Sequence, residues 1–201
     1  MEGLKLQQTI GSGTFGKVKR ALHLPTATPV AVKILNKHRI ASQKDAIRIK
    51  REIAILKRVD HPNIIRLLQL VETAKSFMLV TNLAEGEELF QLINRRGALG
   101  EEESGELFVQ LLDAVLHLRS KNIAHRDIKP ENIIVSGGQL SLIDFGLGRV
   151  YAEGEMLFSS CGSHCYAAPE MMTAKSYEPE KTEVWALGVT LYAMLSGRLP
   201  F

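Results

Sequence analysis

Hydrophobic positions fall into short alternating runs over roughly the first eighty residues and into longer, helically spaced patterns after that. Residues 4–10 alternate weakly, 17–22 alternate again, and 29–35 and 77–81 are compact apolar runs, so each predicts a strand. Between them, 45–59 carries Ile49, Ile53 and Leu56 at helical spacing, and Glu52, Leu56 and Val59 continue round that face. A carboxylate on the packed side of a helix needs a cation. Lys33, the single charge in its strand, is the natural candidate. Residues 61–67 end the helix and begin a further strand. Over Glu101–Ser120, the series Leu107, Leu111, Val115, Leu118 joins Phe108, Leu112 and Leu116, apolar over more than half the circumference, which predicts a buried helix. Runs 133–135 and 140–143 flank Gly137-Gly138 and predict a hairpin. Strands early and helices late predict an α+β chain.

Composition narrows the class without naming a chemistry. At 201 residues, 45% of them hydrophobic and 23% charged, the chain can bury a substantial core. A net charge of +3 is too small to point to nucleic acid, and no dense Lys/Arg tract with interleaved aromatics appears. Cys161 and Cys165 are too close in sequence to staple much, and no second pair completes a zinc site; reduced thiols imply an intracellular protein, cytoplasmic or nuclear. The longest apolar stretch, 184–195, is too short to span a bilayer and reads as a buried helix. The start of the chain lacks the apolar core of a signal peptide. There is no internal repeat, linker or low-complexity segment.

The candidate chemistry lies in three motifs. Gly11-Ser12-Gly13-Thr14-Phe15-Gly16 joins two strands, so its backbone forms a flap able to lie close to phosphates, where a dinucleotide-binding loop would open a helix. The run His125-Arg126-Asp127-Ile128-Lys129-Pro130-Glu131-Asn132 fixes a carboxylate, a cation and an amide oxygen within one loop, and Pro130 stops any helix. Asp144-Phe145-Gly146 follows the hairpin and brings a second carboxylate. In this order and spacing, along essentially the whole chain, the motifs resemble those of eukaryotic Ser/Thr protein kinases. The nearest likeness is the calcium/calmodulin-dependent group and the relatives of AMP-activated protein kinase.

The resemblance implies a bilobal fold: an N-lobe over 1–81 with a small antiparallel sheet and one helix, then a hinge and mainly helical C-lobe over 82–201, lacking its last helices. It implies ATP and Mg²⁺ as cofactors, a protein substrate with a Ser or Thr hydroxyl, and no nucleic acid or membrane span. Asp127 would accept the proton of the attacking hydroxyl, and Lys129 would support the transferring group. Lys33, paired with Glu52, would hold the α- and β-phosphates, while Asn132 and Asp144 would ligate Mg²⁺. Gly11, Gly13 and Gly16 would shape the flap beside Ile10. Val18, Ala31 and Ile134 would sandwich adenine, with Thr81 behind it, backbone groups of Asn82 and Ala84 at its edge, and Glu88 at the ribose. His125 would only pack, against Phe145, Leu56 and Leu67. Asp127 and Asp144 are expected to face one cleft.

Regulation and specificity are read from the same likeness. Ser159 aligns with the activating phosphosite, so an upstream kinase is implied, with Arg126 as the phosphate's partner. Ser163 aligns with the hydroxyl that marks Ser/Thr specificity, and Glu88 and Glu131 imply basic residues near the acceptor. Three features depart from the pattern. His164 stands where the group has proline, Glu183 stands where the family has an aspartate anchoring the catalytic loop, and Glu170 lacks its family arginine. With the chain ending at Phe201, an expected second reading is a kinase-like module, weak or inactive in catalysis, that acts by binding nucleotide or a partner.

Overall fold

The computed structural model describes residues 3–173 and 176–201. Strands β1 (Leu4–Gly13), β2 (Gly16–His23), β3 (Thr28–Asn36), β4 (Leu67–Glu72) and β5 (Ser76–Asn82) form one antiparallel sheet in the order β1-β2-β3-β5-β4. Between β3 and β4 runs α1 (Gln43–Leu56). It starts two residues before the run read from periodicity because Ser42 and Asp45 close a reciprocal capping box. It stops at Leu56, although Val59 remains buried beyond its end. Alternation on β3 packs Val30 and Val32 on one face of the sheet and Leu35 on the other, the face that also carries Lys33.

The remainder is mainly helical. Strand β6 (Glu87–Glu88) leads into α2 (Leu89–Arg96), followed by α3 (Glu101–Ser120), β7 (Ile123–Ala124), β8 (Ile133–Ser136), β9 (Gln139–Leu142), β10 (Arg149–Val150), α4 (Pro169–Met172) and α5 (Pro179–Ser196). The β8–β9 hairpin turns on Gly137 and Gly138, both at positive φ. A continuous core joins Ile55 and Leu79 to Leu107, Leu111, Leu118, Ile128, Ile133 and Phe145.

Two helices are less enclosed than their composition suggests. On α3, Leu107, Leu111 and Leu118 are buried, but Val109 is 64% exposed and Leu112 and Leu116 also face outward. On α5, Ala186, Leu187, Val189 and Met194 are buried, whereas Val184 is 67% exposed and Tyr192 and Leu195 are partly so. Each packs along one stripe only, α3 against α5, β9 and β7, and α5 against α3 and β7. No helix among the described residues is long and apolar enough to cross a membrane.

Candidate active site

The glycine flap, β3, α1, β5 and the segment from Asn132 to Gly146 enclose a cleft of about 340 Å³. Its wall includes every residue the sequence reading gave to nucleotide: Ile10, Gly11, Gly13, Gly16, Val18, Ala31, Lys33, Thr81, Asn82, Ala84, Glu88 and Ile134. Glu52, Asn132 and Asp144 line it too. The flap is seated tightly at its end: a Cβ on Gly16 would lie 1.7 Å from the Ile34 carbonyl oxygen. At the opposite wall, the Asn82 N–H donates to the Arg66 carbonyl at 3.1 Å, so that donor is not free for a ligand.

Lys33 organises the interior of the cleft. Its Nζ donates to Glu52 Oε1 at 2.6 Å and to Asp144 Oδ1 at 2.8 Å. Glu52 is buried on α1, facing inward as its place on the helix predicts. Burial pulls the Lys33 ammonium down, but the two carboxylates outweigh it and hold its pKa above the ordinary value. Burial likewise pushes Asp144 up, and Lys33 with the Gly146 N–H reverses this, leaving it below the usual carboxylate range. Asp144 has φ +61°, a left-handed conformation that is costly for a non-glycine residue.

Sequence reasoning missed Arg48. It looks like one more surface cation on a basic helix, yet its Nε donates to the Gly146 carbonyl at 2.6 Å and its guanidinium lies over the Phe15 ring. Thus α1 grips the Asp144-Phe145-Gly146 turn at Gly146 through Arg48, while β3 holds Asp144 through Lys33. Helical periodicity shows which side Arg48 is on, but not that a loop almost a hundred residues later passes there.

Asp127 lies just outside the cleft wall. It borders a small neighbouring depression with Gly162 and Ser163. Neighbours surround its carboxylate on both sides. Oδ2 accepts from Asn132 Nδ2 at 3.0 Å and pairs with Lys129 Nζ at 3.0 Å. Oδ1 accepts from the Ser163 N–H and hydroxyl, both at 3.1 Å, and Lys129 also donates to Ser163 Oγ at 2.7 Å. The Asn132 side chain, which lines the cleft, is the bridge between the two compartments. Gly162 permits this approach: it sits at φ +89°, and a Cβ there would lie 2.7 Å from the Arg126 carbonyl oxygen.

Buried groups hold the loop from beneath. Glu183 on α5 accepts from the His125 N–H at 3.1 Å and the Arg126 N–H at 2.9 Å, one through each carboxylate oxygen. The extra methylene relative to aspartate is accommodated, and both contacts are made. Burial pushes the Glu183 carboxyl up, while His125 and these two N–H groups oppose the shift. His125 is fully buried, packs edge-on to Phe145 at 4.9 Å and reaches the Ile143 carbonyl through Nε2 at 3.1 Å. Arg126, at φ +64°, sends Nε to the Leu147 carbonyl and Nη1 to Ser159 Oγ, each at 2.8 Å. Tyr177, unremarked in the sequence, joins them: its hydroxyl donates to the Ser159 carbonyl at 2.9 Å.

Glu183→Gln tests this support. The amide keeps one acceptor and turns an NH₂ group toward the second buried N–H, so one donor is left unsatisfied at a cost of about 1–3 kcal/mol. The expected outcome is a lower thermal midpoint and faster hydrogen exchange at the His125 and Arg126 amides. Unchanged exchange at both would remove Glu183 as the anchor.

Comparison with known proteins agrees with this geometry. The family model described as protein kinase domain matches residues 4–201. The SNF1-related protein kinase catalytic subunit alpha KIN12 of Arabidopsis thaliana is 42% identical over 198 residues, 98% of this chain and 40% of the relative. The serine/threonine-protein kinase SIK1 of Rattus norvegicus is 42% identical over 197 residues, 98% of this chain and 25% of the relative. The chain thus spans two fifths or less of the length of these curated relatives. By its sequence and its α+β architecture, the chain belongs to the protein kinase domain family.

Proposed function

We propose that this chain transfers the γ-phosphate of ATP to a serine or threonine hydroxyl of a protein, with residues 1–81 roofing the nucleotide and 82–201 supplying hinge and catalytic loop. The observation that carries the reading is the Asp127 carboxylate, held by Asn132 and Lys129 and already accepting a serine hydroxyl from Ser163. A substrate hydroxyl in that position would donate to the same oxygen. Asp127 would orient it and take its proton, and the Lys129 ammonium, 2.7 Å from the present hydroxyl oxygen, would face the charge that develops there.

The nucleotide reading is supported by the cleft itself. Val18, Ala31 and Ile134 are apolar walls for a flat base, and Lys33 is the fixed cation beneath the glycine flap. Two oxygens fit a hard divalent cation. Asp144 Oδ2 and Asn132 Oδ1 take no hydrogen bond among the described residues, and both side chains line the cleft. One carboxylate with one amide oxygen is the sparse protein share that Mg²⁺ uses when substrate phosphates complete its shell. A bound Mg²⁺ supplies neutralisation of phosphate charge.

Basic residues near the acceptor fit Glu131, whose buried Oε2 has no hydrogen-bond partner among the described residues. Burial, and then the charge of Glu131, pushes the Tyr166 phenol up. Regulation by phosphate fits Ser159. Adding roughly −2 charge there would place phosphate oxygens against Arg126, which already holds the hydroxyl.

Transfer of labelled γ-phosphate to a serine peptide carrying arginine upstream is the direct test. Asp127→Asn should lower the single-turnover rate on the order of 10²–10⁴-fold, the usual contribution of a positioned base, and replacing the arginine with glutamate should weaken the peptide. A nucleotide-dependent thermal shift without any transfer would instead favour a binding-only module. In the same assay, phosphate at Ser159 should raise turnover, and Arg126→Ala should abolish the gain. A gain that survives Arg126→Ala would contradict the proposed pairing.

A further inference from the structure

The positive charge of this chain is concentrated on one segment. Residues 37–58 hold eight Lys and Arg against only Asp45 and Glu52, a net +6, whereas the whole chain is +3, so the other residues together sum to −3. Neither acid neutralises the outer surface. Asp45 is engaged in the Ser42 cap, and Glu52 is buried against Lys33. Arg48 is turned inward to Gly146, and Lys37 is paired with Glu72. Of the six others, Arg39 lies exposed ahead of the helix, and the remaining five line the exposed side: Lys44, Lys50 and Arg51 on α1 and Lys57 and Arg58 at its C-terminal end. Among the described residues none of these five forms an ion pair.

The same face carries an apolar seam. Ile47, 40% exposed, and the exposed Ala54 lie seven residues apart on α1, with Lys50 and Arg51 between them. Two apolar positions one heptad apart, edged by cations outside any ion pair, match the seam of an amphipathic helix whose flanks are acidic. At 1.5 Å per residue the α1 face is about 21 Å long, enough for some four turns of a partner. Like charges crowded on one helix are mildly destabilising, and an acidic partner would offset this.

We propose that the outer face of α1 is a docking surface for an acidic, amphipathic helical segment of a protein. The composition of the face disfavours the other anionic partners. The segment 37–58 contains no Phe, Tyr or Trp to stack on bases, and its exposed apolar seam, Ile47 and Ala54, is too narrow to seat in a bilayer but matches one side-chain row of a helix. The surface stands independently of the catalytic reading. Its position gives it a consequence for that reading, because the inner face of the same helix presents Glu52 and Arg48 to the cleft.

The probe is a fluorescein-labelled peptide of about 14 residues, one α1 length, with leucine at heptad spacing flanked by glutamate, followed by anisotropy. Binding should fall at least tenfold in the triple variant Lys50→Glu, Arg51→Glu, Lys57→Glu. It should stay within twofold in the charge-matched control Lys5→Glu, Lys75→Glu, Lys181→Glu, with circular dichroism and thermal midpoint verifying that both fold. Raising salt from about 0.1 M to about 1 M, which shortens the Debye length from roughly 10 Å to roughly 3 Å, should abolish the complex. Ile47→Asp should weaken binding of the leucine peptide but not of polyglutamate. Equal losses in both triple variants would reduce the effect to net charge and overturn the proposal. Tighter α1-dependent binding to phosphatidylserine vesicles or to single-stranded RNA would overturn it in favour of those partners. Because none of these readings uses phosphate transfer, they remain decisive even if the chain proves inactive.

Discussion

One ammonium group holds three distant stretches of this chain together. Lys33 on β3 meets Glu52 on α1 and Asp144 beyond β9, at 2.6 and 2.8 Å. Burial draws the Lys33 ammonium toward its neutral form, and an enclosed carboxylate such as Glu52 is costly without a cation beside it. Each makes the other's charge tolerable, so the sheet, the helix and the Asp144 turn must arrive together for any of the three to be comfortable. Removing one partner leaves an uncompensated charge at the bottom of a cleft, which is far more costly than the pair is beneficial. The arrangement also explains why the cleft is polar at its floor and apolar at its walls.

A second set of contacts positions the 125–132 loop from below. Glu183 takes both N–H groups of His125 and Arg126, His125 packs against Phe145, and Arg126 reaches Leu147, Ser159 and Tyr177. Arg126 and Asp144 both sit at positive φ. Strain of that kind persists only where surroundings over-determine the backbone, and here each strained residue is tied by several hydrogen bonds. Fixing the loop at its backbone leaves the side chains of Asp127, Lys129 and Asn132 to meet one another and Ser163.

Much of this could be read from the chain because local rules and long-range packing agree. The periodicity of Glu101–Ser120 gave the helix with its observed limits, and Gly137-Gly138 marked the hairpin. The start of α1 was also legible, through the spacing of Ser42 and Asp45, but periodicity alone overlooked it. Apolar content overstated burial on α3 and α5, since composition counts residues all round a helix while packing covers one stripe. The cleft wall was legible because family motifs map to it residue by residue. The inward turn of Arg48, the Tyr177 contact and the Ser163 cover over Asp127 were not. Each joins segments tens of residues apart, and no local pattern records which loop will pass a given side chain.

Lys33 acts through its carboxylate partners rather than as an isolated charge. A double-mutant cycle with Lys33→Met and Glu52→Gln, read as affinity for Mg²⁺-ATP by titration calorimetry, tests it most directly. The account predicts strong non-additivity, with a coupling energy of about 0.5–3 kcal/mol and a double variant hardly weaker than Lys33→Met alone. Losses that simply add would contradict it.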